Sequence, residues 1–292
     1  SPDVGSMREA ARTAEAMAQP RPPSLARATE PLVQRDLARP PRGPADAPVT
    51  LTPDQIQDAI AFNQNRFNDP YSIKTMRDLM GGDIDEASGV VDEEFVLAVA
   101  DWQAQHHLTQ DGKAGHAVTR SMVLELAAES RTNPQSLIDA IGLVIDSYRL
   151  PNHWALNEIR AGGGRRCCGT DGDSDAETLG GPQDPDPAFR NQPITICICI
   201  SRMLPKIFSD YEGFVRIIGH ELVHVPQHQS GTRNDGINEF EAWFWEVCAQ
   251  GRVPTLADAR RASQARIALS HFRLIPSSVG TPQQVEKARK MQ

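Results

Sequence analysis

The sequence has few aromatic residues, few cysteines and no surplus of positive charge, and each shortage excludes a class of protein. Aromatic residues make up 5% and apolar residues 39% of the 292 positions, a balance that suits a globular protein with sizeable loops. No apolar run approaches the roughly 20 residues needed to cross a bilayer, so we expect no membrane span. The formal net charge of −8 argues against a nucleic-acid partner. Five cysteines are too few to form a disulfide framework for a chain of this length.

The first 48 residues are rich in Ala, Arg and Pro and contain few large apolar side chains. Residues 1–6 resemble a remnant of an expression tag, so we expect the native sequence to begin at Met7. The proline-rich stretches at 19–23 and 39–44 exclude helix and sheet interior. We therefore predict a flexible leader over residues 1–48, with a docking, loading or inhibitory segment as the alternative. No apolar signal core follows Met7, so export would need a route without an N-terminal signal peptide.

Residues 49–130 have the pattern of a small helical domain. Thr52 precedes Pro53 as an N-cap precedes the first position of a helix. The more specific signals lie further along the chain: Ala98-Val99, Trp102-Gln103, Asp111-Gly112, Gly115 and Thr119. This succession resembles the helical peptidoglycan-binding-like domain. The resemblance implies binding of cell-wall peptide or glycan, and a retained scaffold or protein-docking unit is the alternative.

Residues 131–292 form the second predicted domain. Asn133 and Pro134 open a helix with one apolar stripe, and Trp154 beyond it is predicted to be a packing residue. A long loop, 161–191, then leads to the clearest strand in the sequence, 193–200.

The strand alternates isoleucines with polar positions, two of which are Cys197 and Cys199. The loop residues Cys167 and Cys168 are expected to reach that polar face. Disulfides formed in an oxidising compartment, free thiols and a four-thiolate zinc site are the three alternatives.

The strongest functional signal is His220-Glu221-Leu222-Val223-His224, which matches the HExxH pattern. On a helix, His220 and His224 lie on the same face and can bind one metal ion. Glu221 is predicted to accept a proton from a water held by that metal. The apolar flanks predict that the helix is buried, and Pro226 is expected to end or bend it.

Zinc needs a third protein ligand, and we predict Glu241, which an apolar helix would carry inward next to the small residue Ala242. Asp235 and Glu239 are the alternatives. His228 is predicted to be a rim residue rather than a ligand. These four positions all follow the HExxH pattern within one short segment.

The order of a strand, a loop, the HExxH helix and a downstream acidic helix resembles that of the zincins. Glu241-Ala242 is similar to the Glu-Ala element of gluzincins, including zincin-like domains of bacterial toxins and injection-system cargo. Asp235 is similar instead to the Gly-Thr…Asp element of deuterolysin-type aspzincins. The resemblance implies a mostly helical zincin-like domain with a short sheet, so that the whole chain is expected to be α+β. In gluzincins a His or Tyr often stabilises the oxyanion, and His271 and Tyr211 are the candidates.

The resulting hypothesis is a Zn²⁺-dependent metallopeptidase that cleaves protein or peptidoglycan peptide. We expect a bacterial effector or toxin that is secreted or delivered to the periplasm or a target cell. Its expected partners are a secretion or injection apparatus and an immunity protein. The alternative is a non-catalytic wall-binding or docking protein in which the metal is structural. A leader that holds the protease inactive is a further hypothesis.

Overall fold

The computed structural model of the protein describes residues 50–82, 89–163, 165–168, 174–184, 186–231, 234–249, 253, 258–275 and 280–291. The chain is mostly helical with a small three-stranded sheet, which confirms the predicted α+β class. The leader predicted over 1–48 lies outside the described residues.

The described N-terminal part is built from helices that begin at strong capping residues. They are α1 (Pro53–Arg66), α2 (Pro70–Met80), α3 (Glu93–Gln105), α4 (His116–Glu129) and α5 (Pro134–Ser147). Thr52 and Gln55 form a capping box at the start of α1. The side chain of Asn133 accepts a hydrogen bond from the backbone of Gln135 at the start of α5. Both helix starts agree with the prediction.

The residues that carry the peptidoglycan-binding resemblance hold a turn together between α3 and α4. The Gln103 amide oxygen accepts from the backbone N–H groups of Asp111 and Gly112, at 3.0 and 2.9 Å. Asn63 of α1 donates to the carbonyl oxygen of Gly112 at 2.9 Å. Gly112 has φ +68, and a Cβ there would meet Cγ1 of Val96 at 2.6 Å. This position therefore requires glycine.

The sheet contains β1 (Leu156–Gly162), β2 (Ala176–Leu179) and β3 (Ile194–Cys199) in the order β1-β3-β2. The central strand β3 agrees with the predicted strand over 193–200. It pairs in parallel with β1 and antiparallel with β2. Because β3 lies between two strands, five of its six residues are buried.

Disulfides attach the segment after β1 to the central strand. That segment contains the short helix α6 (Arg165–Cys168). Cys167 is bonded to Cys197, and Cys168 is bonded to Cys199. Of the three predicted alternatives for these cysteines, the structure therefore has the disulfides.

The C-terminal helices are α7 (Ile200–Ser209), α8 (Tyr211–Ser230), α9 (Asp235–Cys248), α10 (Asp258–Arg273) and α11 (Pro282–Lys290). One hydrophobic cluster runs from Phe67 and Met76 in the N-terminal part to Leu222 and Val225 of α8, through the buried face of α5. The predicted boundary near residue 130 thus crosses a continuous core, and the division into domains stays a prediction. None of the described helices has the length and apolarity required for crossing a membrane.

Candidate metal centre

The HExxH residues lie in the middle of the long helix α8, which the core surrounds. Asp210 caps this helix by accepting from the backbone N–H of Gly213 at 3.1 Å. Its fully buried apolar residues are Phe214, Val215, Ile218, Leu222 and Val225. The predicted burial of the motif helix is therefore confirmed.

The helix does not end at Pro226 but continues to Ser230. Its last turn is held by contacts with the segment after β2. The backbone N–H of Gln183 donates to the carbonyl oxygen of His228 at 2.9 Å. Nδ1 of His228 lies 2.8 Å from the carbonyl oxygen of Gly180. These contacts offset the hydrogen bond that a proline removes from the helix.

Two histidines of α8 and one glutamate of α9 converge on a single point. Oε2 of Glu239 lies 3.7 Å from Nε2 of His220, and its Oε1 lies 3.6 Å from Nε2 of His224. One ligand atom from each of the three residues falls within 4.8 Å of the others. A tetrahedral zinc ion with bonds of about 2.0–2.1 Å would hold neighbouring ligand atoms roughly 3.4 Å apart. The observed spacing and the two-nitrogen, one-oxygen donor set therefore fit zinc.

The other ring nitrogen of each histidine has its own partner. Nδ1 of His220 lies 2.7 Å from Oε1 of Glu246, which is nearly fully buried on α9. Nδ1 of His224 lies 2.7 Å from Oε1 of Gln227 on the same helix. An acceptor at Nδ1 places the proton there and leaves the Nε2 lone pair for a metal. Both Nε2 atoms face Glu239, as ligation of one shared metal would require.

The predicted proton acceptor, Glu221, is held by the neighbouring strand. The Thr178 hydroxyl of β2 lies 2.9 Å from Oε2 of Glu221 and 2.9 Å from its main-chain oxygen. Burial raises the pKa of the Glu221 carboxyl, which the positive charge of His220 partly offsets. Burial also raises the pKa of the half-buried Glu177, next to Thr178, to about 6. A carboxyl with a raised pKa is suited to taking and returning a proton near neutral pH.

The acidic residue that meets the two histidines differs from the predicted third ligand. Glu241 does not reach the histidines; it forms an ion pair with Lys287 of α11. Asp235 begins α9 and is not part of the three-residue cluster. Among the described residues, Glu239 is the acidic group that completes the cluster with His220 and His224.

Helix periodicity explains the correction. Residues two apart on an α-helix project about 200° apart around its axis, so Glu239 and Glu241 cannot face the same neighbour. Residues seven apart share a face, and Glu239 and Glu246 have that spacing. Both contact His220. Glu246 was missed by the sequence reasoning, and its seven-residue spacing from Glu239 is the signal that could have found it.

The charges around the cluster favour a cation. Burial lowers the pKa of His220, but the carboxylates of Glu239 and Glu246 outweigh it and raise the pKa to about 10. Burial and the neighbouring His220 lower the pKa of His224. Burial raises the pKa of Glu239, but the two histidines outweigh it and lower the pKa to about 2. Positive charge is thus stabilised between these carboxylates.

The remaining predicted site residues are not all near the cluster. His228 is buried rather than on a rim, and its ring centroid lies 6.3 Å from that of His224. His271 of α10 lies close enough for its charge to contribute to the lowered pKa of Glu239. Tyr211 packs against Tyr148 at the start of α8. It is nine residues from His220, about 14 Å along the helix, so it cannot serve the oxyanion.

In comparisons with known proteins, no family model, curated protein or solved structure matches this chain.

Proposed function

We propose that the protein is a zinc-dependent metallopeptidase. The observation that carries this proposal is the convergence of His220, His224 and Glu239 beside the buried carboxyl of Glu221. Two imidazoles and one carboxylate are the protein ligands of many catalytic zinc sites, which keep a further position for water or substrate. A structural zinc site more often has four protein ligands.

Zinc bound at this site would polarise a scissile carbonyl and lower the pKa of water near it. The rest of the chemistry falls to residues of the chain. Glu221 takes the proton of the attacking water and returns it to the leaving amine. Thr178 fixes the Glu221 carboxyl, so that the same oxygen remains near the reacting atoms. Glu246 and Gln227 keep the two imidazoles in their ligating orientation.

The proposed substrate is a peptide, either in a protein or in the cell wall. The two disulfides support a place of action outside a reducing cytosol, such as the periplasm of a target cell. A bacterial effector that an injection apparatus delivers, and that an immunity protein neutralises, fits that compartment.

The test is zinc analysis of the full chain together with the variant Glu221→Gln. We expect about one zinc per chain and hydrolysis of a casein-like protein or of isolated wall peptides. Glu221→Gln should retain zinc and lose about 10²- to 10⁴-fold in kcat/KM, the usual contribution of a general base. Protein that holds no zinc and takes up none would overturn the proposal.

The non-catalytic alternative makes a different prediction. A structural site would hold zinc tightly with a fourth protein ligand. Removing the metal would then lower the thermal midpoint, while Glu221→Gln would change no measurable activity.

A further inference from the structure

A groove of about 310 Å³ lies beside the end of α8, next to the segment that contacts His228. Buried Leu156, Ile194 and Gly181 form its floor, and exposed Trp154 and Pro193 stand on its rim. Nothing in the proposed peptidase chemistry uses these residues. Gly181 follows Gly180, whose carbonyl oxygen lies 2.8 Å from Nδ1 of His228. The His228 ring centroid lies 6.3 Å from that of His224, so the groove adjoins the candidate metal centre.

The groove is built into the backbone. Gly180 and Gly181 have φ values of +92 and +85, which favour glycine. A Cβ at Gly180 would meet the carbonyl oxygen of Pro193 at 2.3 Å, and one at Gly181 would meet that of His228 at 2.6 Å. The backbone N–H of Gly181 donates to the carbonyl oxygen of Gln192 at 2.8 Å. The floor is therefore pre-formed rather than assembled around a ligand.

Trp154 is exposed, contrary to its prediction as a packing residue. Its side chain is 54% accessible, and the His153 ring lies 5.3 Å from it. Tryptophan offers a large rigid apolar surface with one N–H donor, which is why it is frequent at binding sites. An exposed indole on the rim of a pre-formed groove supplies a flat surface on which a ligand can stack.

The polar groups of the groove are uncharged. Asn157, Gln192 and Gln229 line it, and none of its described lining residues carries a charge. The Gln192 side chain donates to the carbonyl oxygen of Ala188 at 3.0 Å, which leaves its amide oxygen as an acceptor. Amides both donate and accept, so they match hydroxyl and acetamido groups, whereas a phosphate or a carboxylate would require a cation.

We propose that this groove binds a neutral glycan, with a pyranose ring stacked on Trp154 and its hydroxyl or acetamido groups bonded to Asn157 and Gln229. A sugar ring has an apolar C–H face for the indole and a polar edge for the amides. This deepens the proposed function and rests on it for one step: a glycan held here would present its attached peptide to the metal centre. The substrate class is then glycan-linked peptide of the cell wall.

The test measures binding alone, on the full chain prepared with a chelator so that no zinc-dependent hydrolysis occurs. The probe is the β-1,4-linked trimer of N-acetylglucosamine, followed by saturation-transfer NMR and calorimetry. We expect Trp154→Ala to weaken binding at least tenfold and the double variant Asn157→Ala, Gln229→Ala to weaken it similarly. Phe208→Ala removes an exposed aromatic of α7 that does not line the groove, and it should bind within twofold of the parent.

The outcomes separate this proposal from the others. Trimer binding that survives in Trp154→Ala would place the glycan elsewhere, for example on the N-terminal helices, and would overturn the proposal. Binding of a proline-rich peptide and not of the trimer would also overturn it, because aromatic grooves take such peptides too. Neither result bears on zinc content or on the Glu221→Gln test, so the peptidase proposal stands or fails separately.

Discussion

Glu239 and Glu241 are two residues apart in the sequence yet face different partners. Glu239 faces His220 and His224, whereas Glu241 forms an ion pair with Lys287. The Lys287 ammonium also lies 5.2 Å from the centroid of the Phe244 ring. Each carboxylate thus has a defined and separate role, one at the candidate metal centre and one in attaching α11 to α9.

This difference predicts opposite results for two matched variants. Glu239→Gln should weaken zinc binding more than the 10- to 100-fold typical of lost outer contacts, because it removes a ligand. Glu241→Gln should bind zinc with an affinity within about threefold of that of the parent, because the Glu241 carboxylate contacts Lys287 rather than the histidines. Loss of this partly exposed ion pair should change the stability of the fold by roughly 0–1 kcal/mol. Competition with a chromophoric chelator measures both. Reversed results would restore Glu241 as the third ligand.

Glu246 provides a second residue-scale prediction. Its carboxylate contacts His220 Nδ1 and accepts from Nε2 of Gln264 at 2.6 Å. Glu246→Gln should lower zinc affinity about 10- to 100-fold, because a neutral amide orients and polarises the imidazole less well. The control is Glu286→Gln, an exposed carboxylate on α11. Equal zinc affinity in both variants would contradict an orienting role for Glu246.

The two histidines of the candidate metal centre could be predicted from the sequence, and the carboxylate beside them could not. His220 and His224 are neighbours through local helix geometry alone, so their four-residue spacing is enough to predict that they share a face. The choice between Glu239 and Glu241 depends on how α9 is rotated against α8. That rotation is a tertiary property, set by which residues of α9 pack inward.

At the scale of elements, the candidate metal centre forms where α8 and α9 approach each other closely. Gly219 precedes His220 in α8, and a Cβ at this position would lie 1.8 Å from Cη2 of Trp245. The indole of α9 therefore occupies the space that a side chain of α8 would need. This contact fixes the rotation of α9 that places Glu239 and Glu246 beside the histidines.

We therefore expect Gly219→Ala to destabilise the protein although alanine favours helix. Replacing glycine by alanine inside a helix favours the helix by about 1 kcal/mol. Displacement of Trp245 should cost more than this gain, so we expect a net loss of about 1–3 kcal/mol in the free energy of unfolding. The thermal midpoint should fall by roughly 2–10 °C, with weaker zinc binding. Gly163→Ala is the control, since a Cβ there meets no atom within 4 Å. An unchanged midpoint in Gly219→Ala would show that α9 can shift without cost.

Some elements follow from local sequence and others depend on context. The strand β3 and the helix starts at Thr52 and Asn133 could be predicted from the sequence, because alternating isoleucines and capping residues are local signals. Pro226 was expected to end or bend α8, but contacts of the last turn with Gly180 and Gln183 carry the helix past it. Such contacts join segments distant in the sequence and leave no mark in the local pattern.

At the scale of the whole molecule, the sheet connects the two disulfides to the candidate metal centre. The redox state of the surroundings can therefore affect that centre. Cys197 of β3 pairs with Glu177 of β2, and the next residue of β2 is Thr178, which holds Glu221. The disulfides fix the segment before β2 onto β3 across separations of 30 and 31 residues. Breaking these disulfides would therefore affect the strand that contacts the Glu221 carboxylate.

Reduction should for this reason lower both stability and activity. Closing a loop of about 30 residues stabilises a fold by about 3–4 kcal/mol in the chain-entropy estimate. The two bonds close nearly the same loop, so their contributions overlap rather than add. We expect the thermal midpoint to fall by roughly 6–15 °C on reduction, with peptidase activity lost at a lower temperature.

Cys248 forms no disulfide, so a variant at this position separates the effect of reducing the disulfides from other effects of reductant on thiols. Cys248→Ser should show the same fall on reduction as the parent, whereas Cys168→Ser with Cys199→Ser should show a smaller one. Mass spectrometry after alkylation without reductant should find one modified cysteine. Five modified cysteines in native protein would contradict the disulfides. Disulfides persist in an oxidising compartment and are reduced in a cytosol, so the folded protein would be most stable where the proposed wall substrate lies.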